Sequence, residues 1–407
     1  MNNPSKRIIF IILVAALLGV GFFSGAKFEE FKIKRSTENI AAEIVNKTAD
    51  KPSSIDFGLF WAVLNKLEEK FVDQDKLTDK RKLVYGAIQG MVSSTGDPYT
   101  VFLEPVESKK FEEQINGSFG GIGIEIGMRN NLLTVITPIK GTPAEKAGLL
   151  TGDIILKIND KDATALKIDE AVSQIRGKKG TAVKLSIQRT GLKELKDFSI
   201  VRDDIKVPTV EWKLLDNNIA HLQIFGFNRT TETDFNRAAK EILASKADRI
   251  ILDLRNNPGG ILDSAVNIAS WFLDPNQTVV TERFADGTET ALRTTKSAEL
   301  KKYPIVVIIN NGSASASEIL AGALRDNRGV KLVGETSFGK GSVQELVEFP
   351  TEAGKATLKV TIAKWFTPSG VSINDNGIKP DIEVKRTEED INNNVDLQLE
   401  KAKELIK

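Results

Sequence analysis

The sequence predicts an α+β chain of several domains built around an α/β core. Three observations carry this. Apolar residues recur at helical spacing over residues 56–93. Short strand-like runs then follow closely over residues 117–203. From residue 204 onward, apolar strand-like runs alternate with amphipathic helical ones. The chain has 407 residues, room for two or three domains.

Residues 1–35 read as a targeting segment. Lys6 and Arg7 precede an apolar run from Ile8 to Phe23, extending to Ala26. A short basic flank before an apolar core is an export signal. The run is marginal against the ~20 residues that span a bilayer. Ser24-Gly25-Ala26 offers a small-residue cleavage site, but Lys27, Lys32, Lys34 and Arg35 follow it. The expectation is an uncleaved single-pass anchor over residues 8–26, with the rest of the chain outside the cytoplasm. The alternative is a cleaved signal peptide and a soluble exported protein. Residues 36–55 are polar and read as a linker.

Residues 56–116 form an N-terminal helical region. Phe57, Phe60, Trp61, Leu64, Leu67 and Phe71 recur at helical spacing, and a second helix runs from Leu77 to Ser93 before Gly96-Asp97-Pro98. The apolar stripes are read as core. Residues 117–203 form a small β-rich module. Ile122–Ile126 and Leu132–Ile136 are strand-like, Thr142–Ala147 is a short helix with proline at its start, and Ile168–Ile175 is amphipathic. No helix follows Gly120-Gly121-Ile122-Gly123, so it is no dinucleotide fingerprint; it suits a backbone nest for a carboxylate.

In residues 204–385 the chemistry gathers at three turns. The run Tyr303–Ile309 reads as a buried strand, broken by Asn310-Asn311-Gly312. Ser313–Arg325 then carries Ile319, Leu320, Ala323 and Leu324 on one helical face. Ser315 therefore falls at a strand-to-helix turn, beside unpaired helix N–H groups. The Ala316 N–H is placed to hold an oxyanion. Three serines capping a helix explain the same pattern without chemistry.

Lys340 lies between Gly339 and Gly341, beside Phe338. A lysine base must lose its proton, which takes burial or a nearby cation. Gln344 shares a face with Lys340 if the strand Ser342–Phe349 alternates evenly, and its amide oxygen then accepts from the amine. A solvated loop lysine is the plain alternative. Gly334 to Lys340 nearly matches a P-loop, but Gly341 stands where Ser or Thr is required and a strand follows. Nucleotide binding is not expected.

Asp253–Gly260 is the third turn. Paired glycines allow a backbone that presents N–H groups, so Gly259 or Gly260 is a candidate second oxyanion donor; an ordinary strand-to-helix turn explains the pattern equally well. Asp253 and Arg255 suit an ion pair supporting the turn. A helix is expected from Leu262 to Leu273.

Composition excludes other chemistries. The chain has no cysteine and one histidine, so disulfides, thiol catalysis and a zinc site are not expected. His221 alone could complete a Ser-His-Asp triad; it reads as structural, with no acidic pattern beside it. A Ser-Lys pair is a known variant of that logic. Net charge is +1, which draws the chain to no nucleic acid. No cofactor or metal is called for.

Taken together, these residues resemble the C-terminal processing peptidases, or tail-specific proteases, over nearly everything from about residue 56. Gly96–Phe102 looks like that family's N-terminal motif; Ser118–Ile126 and Ile139–Asp153 look like its embedded PDZ domain. Asp253–Gly260, Gly312–Glu318 and Thr336–Gln344 look like its catalytic blocks. Trp365-Phe366 precedes Thr367-Pro368-Ser369-Gly370, where the family often has tyrosine.

The resemblance implies a PDZ domain at 117–203, a crotonase- or ClpP-like peptidase core at 204–385 and a C-terminal helix in 386–407 able to pack or to form homo-oligomers. It implies an ATP-independent serine endopeptidase with Ser315 as nucleophile, Lys340 as general base and Gln344 orienting Lys340. Ala316 with Gly259 or Gly260 would form the oxyanion hole. Gly121, Ile122, Gly123 and Ile124 would take a substrate's C-terminus as an added strand. Arg176 would relay that binding, although a solvated cation accounts for it better. Two other classes compete: a silent PDZ adaptor, against which the complete Ser315, Lys340 and Gln344 set argues, and a crotonase-type acyl-CoA enzyme, which an export signal fits poorly.

Overall fold

The structure is a computed structural model describing residues 56–406, apart from positions 130, 193, 375, 388, 389, 391, 392 and 394. The apolar segment 8–26 and the linker 36–55 lie outside the described residues. Among the described residues, no helix is long and apolar enough to cross a membrane. The chain divides into two compact units between Lys80 and Arg81.

Helix α1, Gly58–Lys70, belongs to the first unit, and it corrects the sequence reading. None of its residues is buried; Leu59 and Trp61 are 75 % and 53 % exposed. Helical period shows that one side of a helix is apolar, not that anything covers it.

Helix α2, Lys80–Ser93, leads into the second unit. Strand β1, Val101–Leu103, follows, then helix α3, Pro105–Asn116, which stops at Gly117 in the left-handed conformation. The β-rich module begins with β2, Ser118–Gly121. It continues through β3 (Ile124–Arg129), β4 (Leu132–Pro138), α4 (Pro143–Ala147), β5 (Ile154–Ile158), β6 (Lys161–Asp162) and α5 (Ile168–Ile175). It ends with β7 (Ala182–Gln188), β8 (Lys196–Val201) and β9 (Asp203–Lys206). Its sheet runs β3-β4-β5-β7-β8, with β6 on β5, while β2 pairs with β9 where the chain enters and leaves. Leu133, Val135, Ile155, Leu185 and Ile187 are fully buried inside it, each side chain contributing about 1.5–3 kcal/mol by leaving water.

The α/β core has β10 (Val210–Leu214), β11 (Ile219–Ile224), α6 (Thr231–Ala244), β12 (Arg249–Asp253) and α7 (Leu262–Ala269). Next come β13 (Thr278–Phe284), β14 (Glu289–Arg293), β15 (Ile305–Ile309), α8 (Ala316–Arg328) and β16 (Lys331–Gly334). Then β17 (Ser342–Thr351), β18 (Gly354–Phe366), β19 (Ile382–Glu383) and α9 (Leu397–Leu405) complete it. The central sheet runs β10-β11-β12-β15-β16-β19, all parallel after an antiparallel first pair. A second sheet, β1-β18-β13-β14 with β17 on β18, brings Val101 opposite Lys359.

Alternation along the central strands sorts their side chains into two layers. Ile250, Leu252, Val307, Ile309 and Leu332 pack against α6, α7 and α8. Ile219, Ile251, Val306, Ile308 and Val333 face the other way, where Ala402 of α9 and Ile406 cover them. Parallel strands buried on both faces read as continuous apolar runs, as 305–309 does.

Two helix ends differ from expectation. The helix expected to reach Leu273 stops as α7 at Ala269. The helix expected from Ser313 begins at Ala316, because Ser315 sits at φ 59°, ψ −120°, which no helical residue adopts.

Candidate active site

Parallel strands β12, β15 and β16 are neighbours, and the three chemical turns leave their C-terminal ends side by side. That edge is where ligands bind in open α/β sheets. The turn after β12 braces the turn after β15. Ala314 N–H and Ser317 Oγ both donate to Asn257 O, each at 2.9 Å, and Ser313 Oγ donates to Leu254 O at 2.8 Å. The outer two of the three serines are thus committed to backbone carbonyls. Ser315 Oγ donates no hydrogen bond to a backbone carbonyl of the described residues. Ser315 is 4 % exposed and holds a positive φ, a conformation a non-glycine side chain keeps only under constraint from its surroundings.

The same bracing separates the two glycines. Gly259 N–H is taken by Asn257 Oδ1 at 2.9 Å. Gly260 carries Ile261 and Phe227 into a short bridge that leaves its own N–H unengaged, and Ala316 N–H, at the first turn of α8, is likewise unengaged. Neither glycine tolerates a side chain. A Cβ on Gly259 would stand 2.5 Å from Ser315 Cβ and 2.8 Å from Ala316 N; one on Gly260 would stand 1.9 Å from Phe227 O. Gly259 is therefore the surface against which Ser315 packs.

Glu318, fully buried, was not singled out from the sequence. Its carboxylate accepts four hydrogen bonds: Ser315 N–H at 2.7 Å and Lys340 N–H at 3.0 Å on one oxygen, Ser337 Oγ at 2.6 Å and Gly339 N–H at 2.7 Å on the other. Burial nonetheless pushes its carboxyl above the usual range, the hydrogen bonds opposing. A signal for it was present: Ser315 and Glu318 have the spacing of a capping box.

Lys340 is partly buried, its Nζ 5.4 Å from the centre of the Tyr99 ring. Burial pushes its amine down to about 8, and the charge of Lys359 pushes the same way, against Glu318 and Asp97. Lys359 arrives on β18 from 19 residues downstream, so no local pattern announces it. The Gly96–Phe102 motif belongs to this corner too. Asp97 accepts from Tyr99 N–H and Thr100 Oγ1, and Thr100 Oγ1 in turn accepts from Thr361 N–H at 3.0 Å.

Gln344 and Lys340 do not share the one continuous strand that even alternation requires. Strand β17 starts at Ser342, after Lys340, and its pairing with β18 shifts register between Val343 and Gln344. Gln344 Nε2 donates to Ser342 Oγ at 2.8 Å and Thr361 Oγ1 at 3.4 Å. Among the described residues no hydrogen bond joins Lys340 Nζ to Gln344 or to Ser315.

His221 does have an acidic partner: its Nε2 lies 3.0 Å from Asp253 Oδ2. Burial would push Asp253 up, but hydrogen bonds from His221 and Arg255 outweigh it and hold the carboxyl at about 2. Among the described residues no acidic or histidine cluster suits a metal.

In the β-rich module a groove runs between β3 and α5. Ile124 and Ile126 line one wall, Val172 and Ile175 the other, and Gly121-Ile122-Gly123 closes its head, with Phe119 and Arg176 beside it. Arg176 stacks 3.9 Å above Phe119 and pairs with Glu113 at 3.6 Å. The amides of Ile122 and Gly123 make no hydrogen bond with the described residues.

A sheet edge carrying a constrained serine, a depressed lysine and two unengaged amides, joined to a grooved β module, defines a serine peptidase with a peptide-binding domain. Residues 218–384 match peptidase family S41, residues 134–189 a PDZ domain and residues 17–106 the activating protease CtpB N-terminal domain. The carboxy-terminal processing protease CtpA of Bacillus subtilis is 41 % identical over 79 % of this chain and 68 % of its own length. CtpB of the same organism is 35 % identical over 94 % of this chain and 78 % of its own. A solved S41 protease from Bacteroides fragilis shares the fold, with a TM-score of 0.52 at 16 % identity over 83 % of this chain and 92 % of that one. The chain belongs to the carboxy-terminal processing proteases of peptidase family S41.

Proposed function

We propose that this protein cuts unstructured polypeptides near their C-termini, without nucleotide, through an acyl-enzyme on Ser315. Lys340, as the neutral amine, takes the Ser315 Oγ proton while Oγ bonds the scissile carbonyl carbon. The oxyanion is received by the N–H groups of Ala316 and Gly260. Lys340 then returns the proton to the departing amine. Water, deprotonated by Lys340, attacks the ester, and the proton goes back to Ser315 Oγ. Gln344 orients the Lys340 amine once the substrate closes the corner between them. Catalytic hydrogen bonds commonly tighten only with substrate in place.

The observation that carries this reading is the division of labour among three serines: Ser313 and Ser317 are tied to backbone carbonyls, and Ser315 Oγ is not. The groove of the β module receives the substrate's last residues as a strand beside β3, its carboxylate on the Ile122 and Gly123 amides and its terminal apolar side chain between Ile124 and Val172. Residues 8–26 hold the protein at the outer face of a membrane, on the strength of the basic flank and apolar run alone.

The test is digestion of β-casein by residues 36–407, with Ser315→Ala and Lys340→Ala alongside and a peptide of apolar C-terminus added to fill the groove. Cleavage lost in both variants supports the reading. Cleavage surviving Ser315→Ala sinks it. Release of the full-length chain from membranes by alkaline carbonate would sink the anchor.

A further inference from the structure

The C-terminal helix does more than cover the sheet. Strand alternation puts His221, Asp253 and the residues under α9 on one face of the central sheet. Arg255, two residues beyond β12, turns back onto that face. Its guanidinium grips Asp253 at 2.9 and 2.6 Å and Asp396 at 2.8 and 2.9 Å, with Gln398 Oε1 at 3.2 Å. Asp396 is the N-cap of α9 and accepts Leu399 N–H at 3.1 Å. Burial alone would push the Asp396 carboxyl up; Arg255 more than offsets this and holds it below its ordinary range.

The residue after Arg255 is Asn256, which has a positive φ of 55° and exchanges two hydrogen bonds of 2.8 Å with Asn310. Asn257 follows, the anchor for Ala314 and Ser317. A two-pronged ion pair fixes both the place and the orientation of a guanidinium. Held at 9 % exposure between two carboxylates, Arg255 fixes where the Asn256–Gly260 turn departs from the sheet. The second carboxylate comes from 141 residues away.

We propose that Asp396 is a positioning residue: α9 closes as a latch on the sheet, and its capping carboxylate holds Arg255 so that the Asn256–Gly260 turn stays seated against Ser315. This rests on Ser315 and Gly260 acting as described above. A turn that drifts by an ångström misplaces an oxyanion donor, not the substrate groove, so the loss falls on turnover.

The test uses the full-length chain in detergent, with β-casein as substrate and a fluorophosphonate to label Ser315. Asp396→Asn removes the charge, Asp396→Ser keeps a helix cap but loses the ion pair, and Asp396→Glu keeps the charge. The expected result is a kcat about 10- to 100-fold lower in the Asn and Ser variants, with KM little changed. Labelling should slow in parallel, and the Glu variant should recover part of both. Wild-type kcat in the Ser variant, a change confined to KM, or a loss that disappears on normalising to folded protein would each overturn the latch. Wild-type protein that cleaves casein but takes no label at Ser315 would instead remove the underlying reading, and the latch with it.

Discussion

The backbone amides of Ser315 and Lys340 converge on a single oxygen, Glu318 Oε2, at 2.7 and 3.0 Å. One carboxylate therefore ties together two chain segments that a backbone bond from Phe338 N–H to Ser313 O, 2.9 Å, also joins. Glu318→Gln turns an NH₂ toward the Ser315 and Lys340 N–H groups in one setting and toward the Gly339 N–H and Ser337 Oγ in the other, so at least one buried N–H loses its acceptor. Leaving a buried donor unpaired costs about 1–3 kcal/mol in stability. Displacement of both segments should cost about 100-fold in kcat. Glu318→Asp, which keeps the charge one methylene short, should fall between. Melting curves and steady-state kinetics check this; wild-type kcat in the Gln variant refutes it.

Activity should rise with pH through about 8, where the Lys340 amine loses its proton. Below that value the amine is charged and is no base, so kcat/KM should fall about tenfold per pH unit. Lys359→Met removes a neighbouring cation that lowers the Lys340 pKa, so the inflection should move to higher pH. The pH profiles of wild type and variant measure the displacement; an unmoved or acid-shifted profile counts against Lys359.

The φ of 59° at Ser315 predicts an opposition between activity and stability. Ser315→Gly and Ser315→Ala should both be inactive. Glycine adopts the conformation freely, so the Gly variant should be more stable than the Ala variant by about 1 kcal/mol or more. Differential scanning calorimetry decides; equal midpoints would mean no strain is held there.

Gly259→Ala places a Cβ 2.5 Å from Ser315 Cβ, so the nucleophile itself must move. We expect slower fluorophosphonate labelling than in wild type, at least as pronounced as the fall in casein binding is slight. Ser313→Ala and Ser317→Ala, which each lose one bond to a backbone carbonyl, should lower stability by about 1–2 kcal/mol and leave labelling measurable. Labelling abolished by either would reassign the nucleophile.

Much of this was legible in the sequence because it is local. The strand 305–309, the break after it and the amphipathic run beyond it locate Ser315 without coordinates. The Asp253-Arg255 pair, two residues apart, was equally readable. The relation of Gln344 to Lys340 was not readable from even alternation, because Lys340 lies before β17 begins at Ser342. Lys359 and Asp396 act across the fold, from partners that only sheet pairing and helix docking deliver. Helix α1 shows the converse limit: its stripe is visible in sequence, its exposure is not.

Ser315 sits 4 % exposed at the head of a helix whose first nine residues, Ala316–Leu324, are all buried. If Ser315 is the nucleophile proposed above, a scissile bond would reach so buried a residue more readily on an extended strand than on the loop of a folded domain. Sorting by looseness would then precede any reading of side chains. On the proposed function, partners that keep their shape would be spared, and so would the enzyme's own packed body, while frayed or failing chains would be the ones that get through.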